Sequence, residues 1–407
     1  MNTSKRIGQT ALVVSGGLLL AVGLVCGLIY VALPLFYRAA DLIQTHLLPA
    51  SCAGLALLGG ALLAYQGIRG LLDRPSRLFR PPRPGWLIAL FLLALLAGEG
   101  ILLLGRRSPQ IAAYLFPPWH FMAALIPSWA VLAFVARQIP AREGSPNSWR
   151  MMIVQSAYGA MMVPLLAFAL EASIVGLASI LLFLGLSSIP GGVERLREIV
   201  SLLQSPSLPQ DPQQIGALIL WPPIAALIGL GLVVVAPLVE ELLKPLGVAL
   251  AARPGVQRSD AFLWGVAAGA GFAAAESLFN GPLLLDAWGA GMLARGGATL
   301  VHTLASGWIG LGWYAAIVEG RWLRLLRNIA GGFALHALWN GLIVTLGLLA
   351  LASTTQLPVL EGSLLAGLMG LFLGGSLLVY SVILAVTLLR LSRRLGGESI
   401  VGELAPP

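Results

Sequence analysis

The sequence predicts an all-α fold, a polytopic transmembrane helical bundle of about ten spans. Composition predicts it first: 58% of the 407 residues are hydrophobic and only 10% are charged. Mean hydropathy is +0.88, far above that of a soluble domain. The pattern predicts it next, because the apolar runs are long and continuous. They lack the dyad alternation of a membrane β-barrel. The placement of arginine agrees, since most of it falls in short loops between apolar runs.

The expected spans are 10–36, 48–70, 86–104, 118–138, 151–188, 215–252, 261–285, 293–318, 329–351 and 363–389. The first follows a short charged N-terminus and reaches Phe36 without a small-residue cleavage site, so it reads as a retained helix and not a signal peptide. The run 151–188 is long for one crossing, which predicts a tilt, a projection or a break near Pro164. Between the fifth and sixth spans, Val193, Leu196, Ile199, Val200 and Leu203 recur at helical spacing opposite Glu194, Arg195, Arg197 and Glu198. This reads as an interfacial helix or as a connecting loop with one helical turn, followed by a proline-rich stretch.

Ten spans place the clusters Lys5/Arg6, Arg69–Arg83, Arg137/Arg142/Arg150, Arg253/Arg258, Arg321/Arg324/Arg327 and Arg390/Arg393/Arg394 on one side. By the positive-inside rule that side is the cytoplasm, with both termini there and the protein in the plasma membrane. Arg106 and Arg107 are the exception. The net charge of +8 therefore does not imply nucleic acid, and no basic run interleaves with aromatic residues. Cys26 and Cys52 are too few for a disulfide framework or a thiolate metal site, and read as free thiols. Glu99 and Glu171, the acids of the N-terminal spans, read as interfacial or satisfied residues.

Four consecutive segments toward the C-terminus carry residues that hydrocarbon disfavours. They hold Glu240, Glu241 and Lys244; Glu276; His302; and His336 with Asn340. A charge at the bilayer centre costs about 2.5–3.5 kcal/mol even on lenient scales, so four such segments in succession point to one buried polar site. Helical spacing supports this. Glu240 and Lys244, Glu276 and Asn280, His302 and Ser306, and His336 and Asn340 are each one turn apart, and Arg295, Thr299, His302 and Ser306 share a face. Pro237 and Pro245 flank the first group and mark a distorted helix. Glycines 265, 269, 271, 296, 297, 331 and 332 suit close helix approach.

Such residues can hydrolyse an amide. A carboxylate beside a second carboxylate can serve as general base toward water, and an imidazole and an amide can donate to an oxyanion. Two His and two Glu equally can hold zinc, with Glu240, Glu276, His302 and His336 as candidate ligands, although HExxH spacing is absent. No cofactor and one divalent zinc ion both remain open. The other class of function is an ion-coupled transporter with the buried Glu and His as proton relay, for which no inverted repeat is visible.

At EELLK (Glu240–Lys244), GFAAAES (Gly271–Ser277), the His302 helix and HALWN (His336–Asn340), the chain resembles the PrsW family of intramembrane proteases, within the superfamily of CAAX-processing and bacteriocin-processing enzymes. The resemblance covers about 215–350. It implies that Glu240 activates water, that Glu276 stands where CAAX relatives carry a His, and that His336 and Asn340 stabilise the oxyanion. His302 is similar to an added polar residue of the PrsW branch. Ser277 stands where the family pattern has Asn, with Asn280 a turn later. The implied catalytic set is Glu240, Glu241, Glu276, His302, His336 and Asn340. The implied partners are the lipid bilayer and a membrane-anchored protein substrate such as an anti-sigma factor. The implied organisation is an N-terminal membrane region over 1–214, a protease core over 215–351, and a C-terminal span with a basic cytoplasmic tail over 352–407.

Overall fold

The computed structural model describes residues 3–36, 42–139, 145–204, 211–355 and 361–404. Arg142 and the proline-rich stretch 205–210 lie outside the described residues. The described chain is helical. Its helices are α1 (Thr3–Phe36), α2 (Leu42–Leu71), α3 (Pro84–Gly105), α4 (Pro109–Gln138), α5 (Trp149–Ser187), α6 (Gly192–Leu203), α7 (Pro212–Ile219), α8 (Pro222–Ala251), α9 (Arg258–Asn280), α10 (Trp288–Ile317), α11 (Trp322–Thr355) and α12 (Glu361–Leu404). The polytopic helical bundle is thus the observed class.

Among the described residues nine helices are long and apolar enough to cross a membrane: α1–α5, α8, α9, α11 and α12. The eighth expected span, 293–318, is the 30-residue α10. Its length suffices, but its polar stripe and glycines dilute its hydropathy. The expected run 215–252 is divided, because Pro222 and Pro223 follow α7 closely and start a new helix at its first turn.

Two prolines deform their helices in the same way. In α5 the segment Tyr158–Met162 is π-helical just before Pro164, and in α8 the segment Leu230–Val235 is π-helical just before Pro237. Proline lacks the N–H that continues the ladder, and the extra residue of a π-bulge absorbs the mismatch. The expected break near Pro164 is therefore a bulge inside one continuous helix.

The chain forms two compact units, and the division falls within α5, α8, α11 and α12. The first comprises residues 1–164, 244–329 and 384–407. Its centre is α9, with 89% of its most apolar window buried. The run AAGAGFAAAES explains how a helix can be so enclosed. Gly265 and Gly269 lie against the Ser306 and His302 carbonyls of α10, and Gly271 against that of Ser156 in α5. A methyl group at any of these positions would collide with backbone, so small residues set the helix spacing.

The N-terminal helices hold the far ends of α9 and α10. His120 of α4 is fully buried; its Nε2–H donates to the Leu278 carbonyl (3.1 Å) and its Nδ1 accepts from Trp288 Nε1 (3.0 Å). Glu99 of α3 accepts the Gly289 backbone N–H at 2.7 Å. It satisfies an orphan donor in the first turn of α10, where a helix N-terminus favours a carboxylate. At the opposite end of α9, Asn147 donates to Asp260 Oδ1 (2.8 Å) and accepts from Trp264 Nε1 (2.9 Å).

The second unit comprises residues 165–243 and 330–383. Ala167, Val235 and Val239 form its small apolar core, with Val175 and Leu243 packed against it. The Tyr380 hydroxyl donates to the Leu335 carbonyl at 2.9 Å, tying α12 to α11. Within this unit Phe168, Leu177, Leu181, Leu371 and Phe372 are exposed. In a bilayer such side chains meet acyl chains at no cost.

Candidate active site

Two groups of buried or half-buried ionisable residues stand out, one in each unit. In the first unit α9 and α10 supply Glu276 and its partners. Arg295 NH2 lies 2.6 Å from Glu276 Oε2, and its NH1 donates to Oε1 at 3.1 Å. His302 Nε2 lies 2.7 Å from Glu276 Oε2. Asn280 Nδ2 adds a longer bond to Oε1 at 3.4 Å. The Ser277 hydroxyl donates to the Ala273 carbonyl and accepts from Arg295 Nε, so Ser277 helps to aim the guanidinium. Bidentate pairing of this kind is the strong form of ion pair.

Lys244, fully buried, completes this group. Its Nζ lies 2.9 Å from His302 Nδ1 and 4.2 Å from the centre of the Phe272 ring. An ammonium can only donate. His302 Nδ1 therefore accepts, and the ring proton sits on Nε2, donated to Glu276. The Phe272 ring meets the His302 ring edge-on at 5.2 Å and offers its face to the cation. Both nitrogens of His302 are thus engaged within one chain of contacts running Lys244, His302, Glu276, Arg295.

In the second unit His336 of α11 stands beside the carboxylates of α8. Its Nδ1 is 3.0 Å from Glu241 Oε1 and 3.8 Å from Glu240 Oε2. All three residues are buried. A carboxylate is an acceptor, so His336 donates Nδ1–H to Glu241. Glu241, the residue after Glu240, is the carboxylate that holds the imidazole.

Asn340 donates from Nδ2 to the Leu232 carbonyl at 2.8 Å. The reason is local. In the π-helical turn the Ala236 N–H bonds to the Gly231 carbonyl, one residue further back than in an α-helix. The next backbone nitrogen belongs to Pro237 and has no hydrogen, which leaves Leu232 without a helical donor. Asn340 fills that place and fixes the distorted turn immediately before Glu240. An amide nitrogen has two hydrogens, so this bond leaves a second donor.

The structure therefore brings Glu276, His302 and Asn280 together in one unit, and Glu240, Glu241 and His336 in the other. Lys244 and Arg295 belong to the polar set named from the sequence but not to the implied catalytic group. Both signals were present: Lys244 one turn after Glu240, and Arg295 heading the stripe Thr299, His302, Ser306.

A helical membrane bundle with buried carboxylates and imidazoles on its helices has the equipment of a membrane-embedded hydrolase. Residues 217–387 match the model of the PrsW family intramembrane metalloprotease, and this part of the chain is a PrsW-family protease domain. No curated protein and no solved structure matches the chain. The protein is accordingly a multi-pass membrane protein whose protease domain acts on membrane-embedded substrates within lipid.

Proposed function

We propose that the protein is an intramembrane endopeptidase that hydrolyses peptide bonds of membrane-anchored proteins, with Glu240, Glu241, Glu276, His302, His336 and Asn340 as its catalytic group. The observation that carries this reading is the buried Glu240/Glu241/His336 cluster inside the matched domain. Glu240 takes a proton from water as the oxygen attacks the scissile carbonyl. The second amide hydrogen of Asn340 and, once it carries a second proton, His336 face the oxyanion. Collapse of the adduct breaks the C–N bond, and the proton held at Glu240 passes to the leaving amine. Glu241 fixes the ring of His336 by the logic of a catalytic triad. Glu276, held by Arg295, keeps His302 in one tautomer. A membrane-anchored regulator of the anti-sigma-factor type is the proposed substrate, and the plasma membrane with both termini cytoplasmic the proposed setting.

The family's description as metalloproteases favours a second reading. Glu240, Glu276, His302 and His336 are the candidate ligands by residue type. One carboxylate and two imidazoles are the donor chemistry of a catalytic zinc site, and a His that donates its other nitrogen to a carboxylate, as His336 does to Glu241, is the usual second-shell arrangement. The residues therefore fit a zinc ion, which when bound would lower the pKa of a water ligand. His302 would join such a shell only by giving up Lys244 or Glu276. Chelation separates the readings. Purified protein stripped of metal should retain cleavage of a membrane-anchored substrate if Glu240 alone activates water, which the engaged nitrogens of His302 favour. Loss of cleavage, restored by zinc at one ion per chain, would replace that reading with the metal one.

A further inference from the structure

We propose that the first unit carries a binding cleft for an anionic phospholipid, lined by none of the residues of the proposed catalytic group. A cavity of about 350 Å³ opens at the basic end of α2, lined by Tyr65, Gln66, Arg69, Arg77, Trp129 and Trp149. Leu62, Trp129 and Ile153 also line a second, narrow cavity of about 70 Å³. That extension is almost wholly apolar, walled by Leu55, Leu58 and Leu125 and by Ala270 and Ala274 of α9. The two adjoin at the shared residues Leu62, Trp129 and Ile153, a cationic, aromatic mouth beside an apolar interior.

The mouth is shaped for a phosphate. Arg69 donates to the Tyr65 hydroxyl (3.1 Å) and to the Pro75 carbonyl (2.9 Å), neutral acceptors that fix the guanidinium without cancelling its charge. Arg150 is held nearby, its NH2 donating to the Arg74 carbonyl at 3.3 Å and its backbone N–H to the Ser76 hydroxyl. Arg77 is exposed at the rim. No Asp or Glu lines either cavity. Among the described residues none of these three arginines has a carboxylate partner. Basic pockets between spanning helices bind anionic lipid headgroups, and tryptophans suit the depth of the interface. The apolar extension decides the ligand class, because a free phosphate has no use for it and an acyl chain does.

The test uses the full chain in detergent micelles, titrated with phosphatidylglycerol or phosphatidylcholine brominated on the acyl chains. Tryptophan quenching is the readout, since Trp129 and Trp149 line the mouth. Phosphatidylglycerol should quench at more than about tenfold lower mole fraction, at roughly fivefold per arginine engaged. Arg77→Gln and Arg69→Gln should each move its curve toward that of phosphatidylcholine, and the rim position of Arg77 makes its variant the one that tests binding without touching packing. Millimolar inorganic phosphate should not displace the lipid. Equal quenching by the two lipids, an unchanged curve in both variants, or displacement by phosphate would each overturn the proposal; the last would make the mouth a site for a soluble anion.

Discussion

Glu240→Gln should lower cleavage of a co-expressed membrane-anchored substrate by about 10²–10⁴-fold, the range for removal of a general base. The substitution keeps the shape of the side chain and a hydrogen-bonding oxygen, and takes away the ability to accept a proton from water. Because Glu241 and not Glu240 makes the close contact to His336, at 3.0 Å against 3.8 Å, the imidazole should stay in place. The inserted amount of protein should therefore be unchanged. Glu241→Gln is the control. A glutamine can still accept from Nδ1–H through its carbonyl oxygen, so orientation persists while the charge behind the ring is lost, and the expected defect is smaller, about 10–100-fold. Immunoblotting of substrate and product with a membrane-fraction loading control reads both variants. A Glu240→Gln protein as active as wild type would remove Glu240 from the chemistry.

Arg295→Leu should give the largest loss of stability. Arg295 is the bidentate partner of Glu276, and its side chain is 14% exposed. Removing one member of a buried ion pair costs about 3–5 kcal/mol, because the other charge is left behind; the Glu276 side chain is 26% exposed, so water offsets part of that cost here. Pairing Arg295→Leu with Glu276→Leu removes both charges and should recover most of that loss, since apolar replacement of both partners of a buried pair is often neutral. Activity should not recover, because His302 Nε2 then loses its acceptor. Thermal unfolding in detergent measures the first effect and substrate cleavage the second. A double variant no more stable than Arg295→Leu would mean that the pair is not the unit that matters.

Much of this was legible before any coordinates. The helical class followed from long apolar runs, and the prolines announced the distortions at Tyr158–Met162 and Leu230–Val235. The residue types of the site were legible as charges that lipid disfavours. Partner choice was not. Helical spacing places Glu240 and Lys244 on one face, yet it does not say that Lys244 reaches the ring of His302, 58 residues on. Nor does it say that Asn340, one turn after His336, spends an amide hydrogen on the carbonyl of Leu232. That bond exists because Pro237 withholds a donor, a backbone deficit that shows only once the turn is built. Glu99 reads from sequence as an interfacial or satisfied residue, and the structure supplies its donor, the Gly289 N–H. The eighth span, 293–318, was legible as a helix and illegible as an apolar one, since the stripe from Arg295 to Ser306 that makes it chemically interesting also lowers its hydropathy.

The most direct test of the account places purified wild-type protein in liposomes with a membrane-anchored polypeptide and follows peptide cleavage and proton movement together. The account predicts new termini within or beside the substrate's membrane segment, no proton flux coupled to the substrate, and no cleavage by His336→Ala. Substrate-dependent proton flux without any cleaved product would contradict it, and would make the same buried Glu and His residues the relay of a transporter.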